Sequence, residues 1–340
     1  MTYRVRMLPR GRVFEAMPKE SLLAAVLRAG ISPGYGCGNG TCGKCVARVV
    51  SGKVDAIQAH DFVLSAAERQ DGQILLCCTA AASDLELEAP TAGSVADIPC
   101  QEIVTRVAKL ERLAVDTIGL HLRTPRSRTL RFLAGQHVRL EIDGVPARHK
   151  SIASCPCDGM HLEFHVRRAP DDPFAEHVFT RLRSAQEVRV IGPWGDFTWR
   201  EDSDRPVILL AYETGFAAIR SLIEQALNVE FAEPLHLYWL VRSPGGHYLD
   251  GYCRSLADTL EQFRYTPLVV PGGDAPHDPV TPAQGALLFA AQRILADHPD
   301  IVQAEIYASG PRANMAAAAR LLHEHGLPPE RLHVDDPPRL

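Results

Sequence analysis

Three cysteines packed into nine residues carry the most specific chemistry in the chain. They lie in Gly36-Cys37-Gly38-Asn39-Gly40-Thr41-Cys42-Gly43-Lys44-Cys45, a C-x4-C-x2-C run, and a fourth follows in Leu75-Leu76-Cys77-Cys78. This is the plant-type spacing, in which four thiolates hold a [2Fe–2S] cluster. The glycines suit the task, because a loop wrapped round a cluster must turn tightly and aim N–H groups at sulfur. A zinc site usually reads C-x2-C twice, and only one such pair is present. Cys37, Cys42, Cys45 and Cys77 are therefore the candidate metal ligands, with Cys78 the neighbouring alternative to Cys77. The other cysteines, Cys78, Cys100, Cys155, Cys157 and Cys253, are odd in number and irregularly spaced. They read as unbridged structural thiols of a reducing compartment. Cys155-Pro156-Cys157 is suggestive of redox chemistry but unspecific.

The 340 residues suit two or three domains. An apolar fraction of 46% and a charged fraction of 23% are ordinary for a globular protein with real cores. A net charge of −5 gives no footprint for nucleic acid, and no basic cluster marks a membrane surface. The longest apolar runs, such as Val207–Ala211, are far short of a membrane span. The first residues alternate as a strand and lack the apolar core of a signal peptide. A cytoplasmic location is the expectation.

Three kinds of patterning must position the cysteines and whatever they work with. Residues 1–90 read as a small α+β unit. Strands Tyr3–Leu8 and Arg12–Ala16 flank a Pro9-Arg10-Gly11 turn, and Ser21 opens a helix over Leu22–Ala29. A Ser65/Glu68 capping box starts a short helix leading back to Cys77. Residues 91–99, within an Ala/Pro/Gly/Ser-rich stretch, read as a linker. Residues 100–203 alternate repeatedly and suggest an antiparallel β-barrel, with strands at Ile103–Leu110, Thr117–Leu122, His137–Ile142, Lys150–Ala153, Leu162–Val166 and Val188–Ile191 and a helix near Pro173–Leu182. Residues 204–335 alternate short apolar strands with helices, among them a helix at Arg254–Phe263 and a strand at Tyr265–Val270. That rhythm predicts a doubly wound parallel α/β domain, interrupted by a Gly/Pro-rich loop over Pro271–Pro282.

In this order the parts resemble the ferredoxin-reductase-type flavoproteins with an N-terminal plant-type ferredoxin domain of the β-grasp type. These are the reductase components of bacterial oxygenases and the reductase of CDP-dideoxyhexose synthesis. The resemblance covers about residues 1–335 and implies an FAD-binding β-barrel and an NAD(P)-binding-like α/β domain. It implies that a pyridine nucleotide, NADH or NADPH, passes a hydride to FAD. Single electrons would then move through the [2Fe–2S] cluster to a protein acceptor, an oxygenase or dehydratase component. The family's R-x-Y-S flavin signature reads here Arg148-His149-Lys150-Ser151. Arg148 would hold phosphate by bidentate geometry, Lys150 replaces the aromatic platform, and Ser151 keeps its hydroxyl. His165-Val166-Arg167 and the helix start at Phe174-Ala175 would pass the adenosine and phosphate side. The Gly-rich nucleotide turn reads Tyr212-Glu213-Thr214-Gly215, with Thr214 and Gly215 retained. The family's C-G-P reads Ser309-Gly310-Pro311. Glu213 adds a negative charge where a pyrophosphate would sit, about 1 kcal/mol unfavourable in water and roughly 4 at intermediate dielectric for charges ~4 Å apart. Many relatives end in an aromatic over the flavin, and the segment Pro337–Leu340 supplies none. No general base is needed for hydride transfer. The alternative expectation is a non-enzymatic iron–sulfur carrier whose reductase domains serve as a scaffold.

Fourteen histidines give no further site. His323 and His325 lie roughly 200° apart around a helix, and His161 and His165 ~13 Å apart along a strand. Tyr238-Trp239 reads as core.

Overall fold

The computed structural model describes residues 2–271 and 281–335. The expected 271–282 loop lies largely outside these residues, and the tail Pro337–Leu340 lies wholly outside them.

In the first unit, β1 (Tyr3–Leu8) and β2 (Arg12–Ala16) pair antiparallel about the expected turn. Their alternation sends Val5, Met7, Phe14 and Ala16 into one core. Ser21 caps α1 (Leu22–Arg28) by accepting the Ala24 N–H. Beyond the cluster loop come β3 (Val46–Ser51), α2 (Ala66–Gln70), β4 (Gln73–Leu75) and β5 (Leu85–Glu88), with the Ser65/Glu68 capping box in place. The sheet order is β2-β1-β5-β3-β4. Within the expected linker, Thr91–Ala92 pairs with Ser32–Pro33, and Asp97 accepts from the Gly93 and Ser94 amides.

The second unit contains β6 (Gln101–Ala114), β7 (Thr117–Arg123), β8 (His137–Ile142), β9 (Val145–Ser151), β10 (His161–Arg167), α3 (Pro173–Thr180) and β11 (Glu187–Trp194). These strands form one antiparallel sheet in the order β9-β8-β11-β6-β7-β10, curled round Phe132, Phe164, Phe174 and Val188. The strand expected at Lys150–Ala153 instead runs Val145–Ser151. An Asp143-Gly144 turn, with Gly144 at φ +72, makes it the return limb of a hairpin from β8.

The third unit runs β12 (Val207–Tyr212), α4 (Phe216–Asn228), β13 (Leu235–Val241), α5 (Asp250–Thr259), β14 (Phe263–Val269), α6 (Thr281–Asp297), β15 (Glu305–Ser309), α7 (Arg312–Glu324) and β16 (Leu332–Asp335). All five strands are parallel, in the order β14-β13-β12-β15-β16. Residues of α6 and α7 cover one face and those of α4 and α5 the other. The helix expected over Arg254–Phe263 instead spans Asp250–Thr259, and it ends early because Phe263 is buried as the first residue of β14 opposite Leu235. Tyr238 and Trp239 are fully buried. Among the described residues no helix is long and apolar enough to cross a membrane.

The units dock on one another. Both the amide and the hydroxyl of Thr129 donate to the Gly36 carbonyl at 2.7 Å, which seats the cysteine loop on the second unit. Gln225 of α4 donates to the Gly30 carbonyl at 2.8 Å, tying the third unit to the first.

Candidate functional site

The cysteine loop gathers its thiols in two pairs. Cys37 and Cys42 are hydrogen-bond neighbours, and Cys45 and Cys77 lie with sulfurs 3.2 Å apart. Cys37, Cys45 and Cys77 are buried, and Cys42 is half-buried. Two glycines make the wrap possible. Gly40 (φ +83) and Gly43 (φ +71) adopt left-handed backbone, and a Cβ would stand 2.5 Å from His60 and 2.2 Å from the Phe62 ring. Burial opposes ionisation of Cys37, yet the Thr41 hydroxyl and the Asn39 amide bring its thiol down to about 6. The hydrogen bond shared with Cys77 lowers Cys45 to about 7, against burial, and the same contact raises Cys77. Among the described residues no three His, Cys, Asp or Glu side chains converge on a single ion. Two separate pairs suit a binuclear cluster, where each iron takes two thiolates and bridging sulfides complete it, better than one tetrahedral zinc. Cys78 lies 3.5 Å from Cys77, its sulfur also near the Gln58 amide.

Cys155 and Cys157, expected as free thiols, are joined in a disulfide. The tight turn after Ser154 brings the two sulfurs together, and Cys155 Sγ also accepts from Asn228 Nδ2 at 2.9 Å. Cys157 lines a cleft shared with Cys37, Gly38 and Asn39 of the cysteine loop.

At the second unit, Arg148, Lys150, Phe174 and Ala175 meet around Asp172. The Asp172 carboxylate accepts the Phe174 and Ala175 amides at 3.0 and 3.2 Å and pairs with Arg148 at 3.3 Å. Burial lowers the pKa of Lys150, while Asp172 pulls it upward. The side chains of Phe174 and Ala175 belong to the core, as does Val166, so only backbone faces the crevice. On the opposite face of β9, the buried His149 Nδ1 has no hydrogen-bond partner. Two residues on, Ser151 donates to Asp335 at 3.2 Å. Arg148 and the α3 start, gathered on one carboxylate, have the guanidinium and amide donors that suit the diphosphate of FAD once Asp172 gives way, whereas Ser151 and His149 lie on the other face of β9.

At the third unit, Thr214 and Gly215 follow β12 and Gly310 and Pro311 follow β15; Gly215 meets Ser309, and Gly310 lies against Tyr212. A Cβ on Gly215 would lie 2.4 Å from the Ser309 carbonyl, so glycine permits this contact. Ser309 donates to Asp335 at 2.9 Å. Asp335 thus joins Ser151 of one unit to Ser309 of another. Sequence reading missed it, because only the register Ser309↔Asp335 places it there. Arg167 turns to Asp116 at 2.7 Å and to Glu213. His165 serves the contact between units, bonded to Glu163 and Tyr248 and stacked on Phe216. His161 and His323 bond locally, to Asp158 and to the Leu327 carbonyl.

Residues 5–82 match the 2Fe-2S iron-sulfur cluster binding domain, and residues 104–199 the oxidoreductase FAD-binding domain. A cysteine loop, a flavin-type sheet and a parallel α/β unit in this order define an electron-transfer flavoprotein. The chain belongs to the family of ferredoxin-reductase-type flavoproteins carrying an N-terminal [2Fe–2S] domain. It is an oxidoreductase whose cofactors are a [2Fe–2S] cluster and FAD. It is 32% identical over 336 residues to the CDP-6-deoxy-L-threo-D-glycero-4-hexulose-3-dehydrase reductase of Yersinia pestis, covering 98% of each chain. It is 26% identical to the propane 2-monooxygenase reductase component of a Gordonia species, covering 98% of this chain and 96% of that one. Among solved structures, the cytochrome P450 reductase GcoB of Amycolatopsis superposes with a TM-score of 0.61 at 27% identity, covering 98% of both chains.

Proposed function

We propose that this protein is the cytoplasmic reductase of a two-component system that draws electrons from NADH or NADPH and delivers them to a partner enzyme. A deoxysugar dehydratase is the leading acceptor, because the dehydrase reductase is the more similar full-length relative, at 32% against 26% for the propane monooxygenase reductase. An oxygenase component is the other class. Bound in its site, flavin supplies the conversion of a two-electron input into the single electrons that a two-iron cluster carries.

The chain's own residues then do four things. Cys37, Cys42, Cys45 and Cys77 hold the cluster as two pairs. Arg148 and the amides of Phe174 and Ala175 bind the flavin diphosphate as Asp172 gives way, with Lys150 on the same face of β9 and Ser151 on the face towards the third unit. Thr214, Gly215, Ser309, Gly310 and Pro311 line the entry of the pyridine nucleotide. Thr129 seats the cysteine loop on the flavin unit, and this carries the reading: the Gly36 carbonyl beside Cys37 takes two donors from that unit at 2.7 Å. Domains at 1–90, 100–203 and 204–335, joined at 91–99, follow this division of labour.

Anaerobic protein given NADH or NADPH with cytochrome c as an artificial acceptor tests the reading. Nucleotide-dependent reduction, with flavin released on denaturation, supports it. Iron and sulfide without flavin and without nucleotide-driven reduction would favour the iron–sulfur carrier instead, a reading to which the carboxylate of Asp172 on the flavin donors lends weight.

A further inference from the structure

We propose that the Glu213 carboxylate is a built-in occupant of the anion site at the end of β12, and that it sets how tightly the protein holds a pyridine dinucleotide. This deepens the nucleotide-dependent reading above and rests on it.

Glu213 follows the central strand β12 at its carboxyl end, two residues before Gly215 meets Ser309 of β15 at the point where the strand order reverses, and its carboxylate turns to the β13 side. In doubly wound sheets that crevice is where dinucleotides bind. The residue adopts φ +53, backbone that glycine takes without cost and other residues seldom take. Specific contacts hold it there. One carboxylate oxygen receives Arg167. The other receives the Arg242 amide at 2.7 Å and the Arg242 guanidinium at 3.2 Å. Trp239 donates its indole N–H to the Glu213 carbonyl at 3.1 Å. The residue is only 9% exposed.

The two arginines come from different units, Arg167 from β10 and Arg242 from just beyond β13, and Glu213 draws them to one point. Guanidinium groups bind carboxylate and phosphate with the same fork geometry. A diphosphate entering this crevice therefore meets two arginines already paired. It binds only as Glu213 leaves, and the departing side chain hands Arg167 and Arg242 to the phosphates. Arg242 is half-exposed and can follow a ligand.

The test is equilibrium titration of the holoprotein with ADP-ribose, which carries the diphosphate but no nicotinamide. Wild type is compared with Glu213→Gly, which suits the backbone, and Glu213→Gln, which keeps the side-chain volume. The urea midpoint of the third unit monitors folding. Both variants should bind more tightly, by about fivefold to a thousandfold, the range for no longer having to break one carboxylate–guanidinium pair ~4 Å apart between water and intermediate dielectric. The gain should vanish when Arg242→Ala is added to Glu213→Gly. Wild type binding as tightly as both variants would overturn the role of Glu213 while leaving the nucleotide site standing. No binding by any of the proteins would overturn both.

Discussion

The cysteine loop and the nucleotide crevice treat charge in opposite ways. In the loop, the thiols lie in two close pairs, three of the four buried, and two of them are lowered towards ionisation by hydrogen bonds. In the crevice, Arg167 and Arg242 are answered from within by Glu213, as Arg148 is answered by Asp172. One region leaves its charge for a metal to complete. The other arrives already neutralised, so its ligands must compete with resident carboxylates. The cluster is thus part of how the first unit holds together, whereas the dinucleotide sites can close without their ligands.

The largest effect that could break this contrast is at the cysteines. Cys77→Ser should abolish the cluster, with loss of iron, sulfide and visible colour, while Cys78→Ser should retain all three. The reverse result would move the fourth ligand to Cys78. Next, the crevice rests on Trp239, fully buried and stacked on Phe216 at 3.9 Å. Trp239→Ala should cost about 3–5 kcal/mol, read as a fall in the urea midpoint of the third unit with the cluster spectrum unchanged at low urea.

A pH prediction follows from the contact between units. Burial pushes Glu163 up, but His165 and Arg220 outweigh it and bring the carboxyl from 4.5 to about 2. A carboxyl lowered on folding contributes its stability above pH 4.5 and loses it as the pH falls towards 2. Stability should therefore decline across that window by roughly 3 kcal/mol, and Glu163→Gln should flatten the decline. The smallest effect sharpens the contrast at the flavin. Asp172→Asn keeps an N-cap for α3 but removes the charge on Arg148. FAD should be retained about fivefold more tightly, the lower end for one like charge removed, as measured by flavin release on dilution.

Legibility divided along the same line. The cysteine motif is local in sequence, and its glycines and spacing could be read directly. So could β1, β2 and the caps at Ser21 and Ser65, which depend on neighbours within a few residues. The Asp143-Gly144 turn is a local hairpin signal, and it is what places β9 at Val145–Ser151 and not at Lys150–Ala153. Asp335 and the Glu213–Arg167–Arg242 cluster could not be read, because they join strands 26 to 184 residues apart and exist only once the sheets are in register. The Cys155–Cys157 bond runs against the expectation for a reducing compartment, and a single intervening residue keeps the two thiols close.

The most direct test of electron delivery to the four thiols is electron paramagnetic resonance of anaerobic protein, reduced by dithionite in one sample and by NADPH or NADH in others. The account predicts the signal of a reduced two-iron cluster in the dithionite sample and in at least one nucleotide sample, absent in Cys77→Ser. Iron- and sulfide-reconstituted protein that stays silent with dithionite would contradict it.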